Sequence, residues 1–192
     1  MNAAELIRQT IEDGITVQRL MLESQAGVIA ATAEKLTAVL NNGGTIYLCG
    51  NGGSAADAQH IAAEFVGRFL RERRPLPSVA LSTNTSILTA IGNDYSFDQV
   101  FSRQVKACVT AKDAVCGIST SGKSPNVIEA LKAAKANGAL TIGWTGEPGE
   151  PMDAHCDLCL KVPSRATPRI HECHIVAWHI VCDLIEREFA DA

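Results

Sequence analysis

Apolar residues at Ile7, Ile11, Ile15, Leu20 and Met21, and again at Val28, Ala31, Leu36, Val39 and Leu40, recur at the spacing of one helix face and stop at Asn41-Asn42-Gly43-Gly44. Residues 3–41 therefore read as a long helical prelude of one or two helices. Beyond it the pattern changes period. Five short apolar runs, Thr45 to Cys49, Ser78 to Leu81, Ala114 to Ile118, Leu140 to Trp144 and Leu158 to Val162, have the unbroken hydrophobicity of buried parallel strands, and each gives way to a polar or glycine-rich loop. Helical patterns fill the intervals, over Ala55 to Leu70, Thr85 to Ile91, Asp98 to Cys108 and Pro125 to Asn137, and a last helix runs from Pro168 to Phe189. Alternation of β and α at this spacing predicts a doubly wound α/β fold, a five-stranded parallel sheet with an N-terminal helical extension. No internal repeat, low-complexity tract or linker divides the chain. One domain over 1–192 is expected, with 1–42 as the helical part and 43–192 as the α/β core.

Composition narrows the class. With 192 residues, 46% of them hydrophobic and 20% charged, the chain can bury roughly 70% of the surface its unfolded form exposes and needs neither disulfides nor a structural metal to acquire a core. The formal charge of −4 gives no global attraction to a phosphate backbone, so no nucleic-acid partner is expected. Seven cysteines, Cys49, Cys108, Cys116, Cys156, Cys159, Cys173 and Cys182, sit mostly inside apolar runs and read as reduced, buried thiols of a cytoplasmic protein. Glu5, Glu12 and Asp13 stand where a secretion signal would carry basic and then apolar residues, and no apolar run approaches the ~18 to 20 residues that span a bilayer. No membrane association is expected.

In a doubly wound sheet the loops at the carboxyl ends of the strands carry the ligands. After the first strand comes Cys49-Gly50-Asn51-Gly52-Gly53-Ser54-Ala55, a glycine-rich turn into a helix whose free N–H groups suit an anion or a sugar hydroxyl. Gly50, Gly52 and Ala55 formally satisfy the dinucleotide pattern, but Leu81-Ser82-Thr83-Asn84 lacks the carboxylate that would hold a ribose. After the third strand, Ser119-Thr120-Ser121-Gly122-Lys123-Ser124-Pro125 crowds hydroxyls at a helix N-terminus, with Ser124 at the N-cap and Pro125 at the first helical position. Hydroxyls and uncapped N–H groups at the positive end of a helix make a phosphate site. The run from Gly117 to Ser124 also matches the P-loop spacing, which keeps a nucleotide enzyme open as an alternative. Against it, a P-loop normally follows the first strand, and no strand ends in the acidic residue a magnesium site needs.

The helix after the glycine loop carries His60 and Glu64, four residues apart on one face. The last helix carries His171, His174 and His179. By spacing alone His171 and His174 are the better metal pair, since His171 and His179 stand about 80° apart around the axis and about 12 Å apart along it. Cys156 and Cys159 form a C-x-x-C, but strand alternation would place Cys156 on one face with Leu158 and Leu160, and Cys159 on the other. The run Arg68, Arg71, Arg73 and Arg74 reads as a solvated helix end, with Arg68 one turn beyond Glu64.

Taken together, GNGGSAADAQHIAAEFVGRF, LTAIGNDYSF, STSGKSPNVIEAL and TPRIHECHIVAWHIVCDLIE resemble the phosphoheptose isomerases, enzymes of the sugar isomerase (SIS) domain class, over nearly the whole chain. The resemblance implies a flavodoxin-like three-layer αβα fold, a homotetramer with active sites between subunits packed through the N-terminal helices, and one zinc per subunit. It implies interconversion of sedoheptulose 7-phosphate and D-glycero-D-manno-heptose 7-phosphate through an enediol, in heptose synthesis for lipopolysaccharide. Carried over by motif, Ser119, Thr120, Ser121 and Ser124 hold the phosphate; Asn51, Gly52, Gly53, Asn93 and Asp94 contact the sugar, with Glu64 and His171 beside it. His60, Glu64, His171 and His179 surround the zinc, Glu64 is the base and His179 the acid/base. His171 stands where glutamine is commonest. SIS domains with the same two loops also serve as sugar-phosphate sensors and tetrameric scaffolds, including one that binds a replication initiator, but such relatives do not need the ionisable cluster.

Overall fold

The computed structural model describes residues 1–190; residues 191–192, the end of the domain expected over 1–192, lie outside the described residues. The prelude is one helix, α1 (Ala3–Asn41), rather than two. It starts in a reciprocal cap, Asn2 Oδ1 accepting from Glu5 N–H at 2.9 Å and Glu5 Oε2 from Asn2 N–H at 2.8 Å. No proline interrupts it, and Gly14 lies where a Cβ would come 3.3 Å from the Glu172 carboxylate, so this glycine serves the approach of the last helix.

Five parallel strands follow: β1 (Ile46–Gly50), β2 (Ser78–Ala80), β3 (Ala114–Ile118), β4 (Leu140–Gly146) and β5 (Leu158–Val162), in the order β2-β1-β3-β4-β5. Between and after them lie α2 (Gly53–Val66), α3 (Thr85–Asp94), α4 (Ser102–Cys108), α5 (Pro125–Ala136) and α6 (Thr167–Phe189). Alternation along the strands divides the core in two. Ile46 and Leu48 of β1, Cys116 and Ile118 of β3, and Trp144 of β4 pack with α1, α2 and α6, where Trp144 stacks on Trp178 at 4.1 Å. Cys49 and Val115 face the other way, against α4 and α5. The result is the expected α/β fold with its helical extension.

Several details differ from expectation. The helix expected over Asp98 to Cys108 is a short 3-10 turn, Phe97–Gln99, then α4. Fully buried Val100 and Phe101 stand at the break, so tertiary burial overrides the helical period. Helix α2 stops at Val66 rather than Leu70, because the next residues unwind to present the N–H groups of Phe69, Leu70 and Arg71 to the Glu186 carboxylate at 2.8, 2.6 and 2.7 Å. The arginine run is accordingly not a solvated helix end. Arg73 is buried, donates to the carbonyls of Glu64, Phe65 and Gly67, and stands 3.5 Å from Glu186.

Four thiols are buried as expected, and desolvation pushes Cys49 to about 12 and Cys173 to about 11; Cys108 is instead exposed. Cys156 and Cys159 do not lie on opposite faces. Cys156 precedes β5, at the end of the 3-10 turn Met152–His155, so strand alternation does not reach it. No helix among the described residues is long and apolar enough to cross a membrane.

Candidate active site

Strand β1 pairs with β2 on one flank and β3 on the other, so chain connections part between the carboxyl ends of β1 and β3, where doubly wound sheets take ligands. Both predicted loops leave from this edge. In the first, Gly52 adopts φ 54°, a left-handed backbone that favours glycine, and its carbonyl accepts the N–H groups of Ala55 and Ala56 at 3.1 Å. Gly53 is set by packing instead, since a Cβ there would stand 3.0 Å from Cε1 of His171.

In the second loop Gly122, at φ 67°, turns the chain and donates its N–H to Ser119 O at 3.0 Å. Ser124 is the N-cap residue of α5, yet its hydroxyl does not cap the helix. It pairs with Ser119 Oγ at 2.9 Å, and Ser121 Oγ stands 3.5 Å from the same atom. Three hydroxyls thus bond to one another at a helix N-terminus, each able to turn a proton toward an anion. Thr120, half-buried, accepts the Gly146 N–H through its carbonyl. Gly117 belongs to no loop. It lies inside β3 in register with Cys49 and Gly143, and a Cβ there would meet Val127 at 2.7 Å, so it admits α5 to the sheet rather than cradling a nucleotide.

The two loops are joined. The side-chain amides of Asn51 and Asn126 exchange hydrogen bonds of 2.9 and 2.8 Å, tying the glycine turn to the first turn of α5. Sequence reasoning missed Asn126, although its place two residues after an N-cap puts it at the mouth of the same crevice.

Helices α2 and α6 run side by side past the glycine turn and bring the ionisable residues together in two steps. His171 Nδ1 lies 3.1 Å from Asp57 Oδ2. Further along, His60 Nε2 lies 3.0 Å from His179 Nε2 and 3.6 Å from Glu64 Oε1, with Phe69 against the His179 ring. His60, Glu64 and His179 therefore converge, whereas His171 is held apart by its carboxylate, as two turns of helix between His171 and His179 require. Asp57 also went unnoticed; it lies three residues before His60, on the same helix face. His174 belongs to the core. It is fully buried, its Nε2 faces Thr145 O at 3.3 Å beside Trp144, and desolvation lowers its pKa to about 4, so it is neutral. Asn93 and Asp94, exposed at the end of α3, bond to each other at 2.8 Å and to none of the other site residues. Arg68 turns to Glu72 at 4.0 Å.

The donors suit zinc in kind. Two imidazole Nε2 atoms 3.0 Å apart are near the roughly 3.3 Å separation of two nitrogens on one tetrahedral zinc, and Glu64 adds an oxygen. Among the described residues, however, no three or more His, Cys, Asp or Glu side chains are grouped so that they could hold a metal ion as they stand. The edge-on pair of imidazoles and the carboxylate beside them can equally pass protons among themselves.

Residues 3–146 match the SIS domain family. A phosphoheptose isomerase of Roseiflexus sp. is 55% identical over 92% of this chain and 90% of its own, and one from Rhodospirillum rubrum is 54% identical over 84% and 86%. The solved structure of a phosphoheptose isomerase from Neisseria gonorrhoeae superposes with a TM-score of 0.91 at 44% identity, covering 97% of this chain and all of that one. The sugar isomerase domain of a transcription factor from Sphaerobacter thermophilus, at 19% identity and a TM-score of 0.68, shares the fold.

Proposed function

The chain belongs to the SIS-domain family, within its phosphoheptose isomerases, and on that premise we propose that it interconverts sedoheptulose 7-phosphate and D-glycero-D-manno-heptose 7-phosphate at the crevice between β1 and β3. The observation that carries the reading is the tie, through Asn51 and Asn126, between the hydroxyl loop at the N-terminus of α5 and the glycine turn that opens α2, the helix that carries His60 and Glu64 to His179.

Ser119, Thr120, Ser121 and Ser124 receive the phosphate, drawn by the α5 dipole as well as by their hydroxyls. Asn51, Gly52 and Gly53 lie along the sugar, leaving its first two carbons beside α2 and α6. Glu64 takes the proton from C1 of the ketose, the electron pair forms the C1–C2 double bond of an enediol, and the C2 oxygen gains a proton. His179 then returns a proton to C2 while the C1 hydroxyl loses its own, giving the aldose. No redox cofactor enters the balance. His60, Glu64 and His179 would be the residues to hold a zinc ion, which when bound would polarise the carbonyl and hydroxyl oxygens. Asp57 fixes the His171 ring through Nδ1, which leaves Nε2 directed away from the carboxylate and available to a sugar hydroxyl or the metal.

Asn93 and Asp94, which bond to each other and to none of the other site residues, would meet a sugar at a boundary with another copy of the chain. Leu6, Ile7, Ile11 and Ile15 are exposed along the first half of α1, and a groove lined by Met21, Leu22, Ile29, Val176 and Ile180 runs between α1 and α6. These surfaces suit burial against further copies of the chain, and the reading takes the assembly to be a homotetramer of the cytoplasm with sites at its subunit boundaries. The test is direct: purified protein given sedoheptulose 7-phosphate forms the aldoheptose phosphate, and absence of product under zinc-replete conditions contradicts the reading. Zinc co-purifying at up to one equivalent per chain in the native protein, and lost in His179→Ala, supports the metal assignment; equal zinc in both places the ion elsewhere.

A further inference from the structure

Cys156 and Cys159 take no part in the site described above, yet they are paired by construction. Gly143 of β4 is the register partner of Cys159, and a side chain there would put Cβ 2.5 Å from Cys156 Sγ and 3.2 Å from Cys159 Sγ. A bare glycine is what lets both sulfurs occupy one space. Both residues are half-buried, unlike the core thiols Cys49, Cys116, Cys173 and Cys182. Asp153, Asp157 and Lys161 face the pair, and Lys161 is itself bonded to Asp153. The neighbouring Cys156 thiol and the Lys161 ammonium hold the Cys159 thiol below the ordinary cysteine range, while the same contact and burial push Cys156 up. With the Cys156 proton engaged by Met152 O and Lys161 beside Cys159, Cys159 is the nucleophile of the two.

The pair is also wired to the hydroxyl loop. Cys156 S–H donates to Met152 O at 3.3 Å, and Met152 N–H donates to Gly122 O at 3.2 Å. Gly122 has no slack of its own, since a Cβ on it would stand 2.6 Å from Gly149 O.

We propose that Cys156 and Cys159 form a redox-modified dithiol that closes to a disulfide by exchange with a low-molecular-weight disulfide, and that closure loosens the Ser119–Gly122 loop through Met152. The Cys159 thiolate attacks one sulfur of the disulfide and expels one thiolate, leaving a mixed disulfide. Cys156 then loses its proton and attacks Cys159 Sγ, the mixed S–S bond breaks, and a second thiolate leaves; the two protein thiols are oxidised and the disulfide is reduced to two thiols. Closure removes the S–H that Met152 O accepts.

The experiment equilibrates the full chain with glutathione and its disulfide, then digests it with trypsin. The peptide from Ala136 to Lys161 contains Cys156 and Cys159 and no other cysteine. It should lose two hydrogens under oxidising conditions and regain them with dithiothreitol, while Cys49, Cys116, Cys173 and Cys182 remain thiols. Amide hydrogen exchange over Ser119–Gly122 should rise several-fold in the closed form and stay at its reduced level in Cys159→Ser under both conditions. Glutathione retained on either cysteine without ring closure, or closure with unchanged exchange at Ser119–Gly122, overturns the proposal. So does an equal rise in Cys159→Ser. No readout uses a sugar phosphate, so failure of the isomerase reading is separately visible.

Discussion

Six consecutive residues, Ser119 to Ser124, make the hydroxyl loop, whereas the ionisable face needs α2 and α6, whose bonded pairs Asp57–His171 and His60–His179 stand 114 and 119 residues apart. The loop is held by its own backbone: the Gly122 turn, the Ser119 N–H on Trp144 O and the start of α5. The face is held only as firmly as two helices are held to each other. Much of that hold comes from Glu186 of α6, buried and accepting three N–H groups from the segment after α2, with Arg73 at 3.5 Å. A binding half built locally and a chemical half built by packing should fail in different ways.

The largest expected effect comes from cutting that hold. Glu186→Ala strips the partner from buried Arg73 and from three N–H groups, and should cost about 3–5 kcal/mol of stability. Burial pushes the Glu186 carboxyl up, but the N–H groups of Leu70, Phe69 and Arg71 and the Arg73 charge outweigh it, so its pKa lies below the ordinary 4.5. A depressed carboxylate stabilises the fold above pH 4.5 and loses that contribution as pH falls through the lowered value. Thermal melts from neutral pH to pH 3 should show the gap between native protein and variant narrowing in acid; a gap independent of pH would contradict the clamp.

Glu64→Gln removes the proposed base and leaves the packing. Turnover should fall at least ~10²-fold with the melting temperature and the molar mass in solution unchanged. Near-normal turnover would remove Glu64 from the chemistry. On the other half, Ser119→Ala with Ser124→Ala should weaken sugar-phosphate binding by roughly 1.5–3 kcal/mol per lost bond to the charged group, with a smaller effect on stability. Calorimetric titration that shows unchanged affinity would send the phosphate elsewhere.

The same division governs how much the sequence could say. The strands β3 and β5 fall on their expected residues, and the hydroxyl loop, with Ser124 and Pro125 opening α5, was legible because its signals are adjacent in the chain. Asp57 and Asn126 were not, since each acquires its meaning from a partner more than seventy residues away. His60, Glu64 and His179 could be grouped by resemblance, but helical spacing alone could not say that His171 would be drawn off by Asp57. The cysteine pair differs from expectation for a related reason: strand alternation holds only from Leu158 onward, and Cys156 lies two residues before β5, where it does not apply.

The smallest effect sharpens the boundary between the two sets of histidines. His171→Gln keeps a side chain able to bond Asp57, and should change the reaction barrier by no more than about 1 kcal/mol while weakening zinc binding. A loss as large as that of Glu64→Gln would put His171 within the reacting group.

The proposed proton transfer at the face between α2 and α6 is tested most directly by running the reaction in deuterium oxide and reading the sugar by NMR. The Glu64 side chain is 21% exposed, so a proton it takes from carbon exchanges with solvent. The native protein should place solvent deuterium on C2 of the aldose and C1 of the ketose, and Glu64→Gln should do so at least ~10²-fold more slowly. Full conversion with no deuterium on either carbon would show that hydrogen passes directly between them and would contradict an enediol formed by Glu64 and His179.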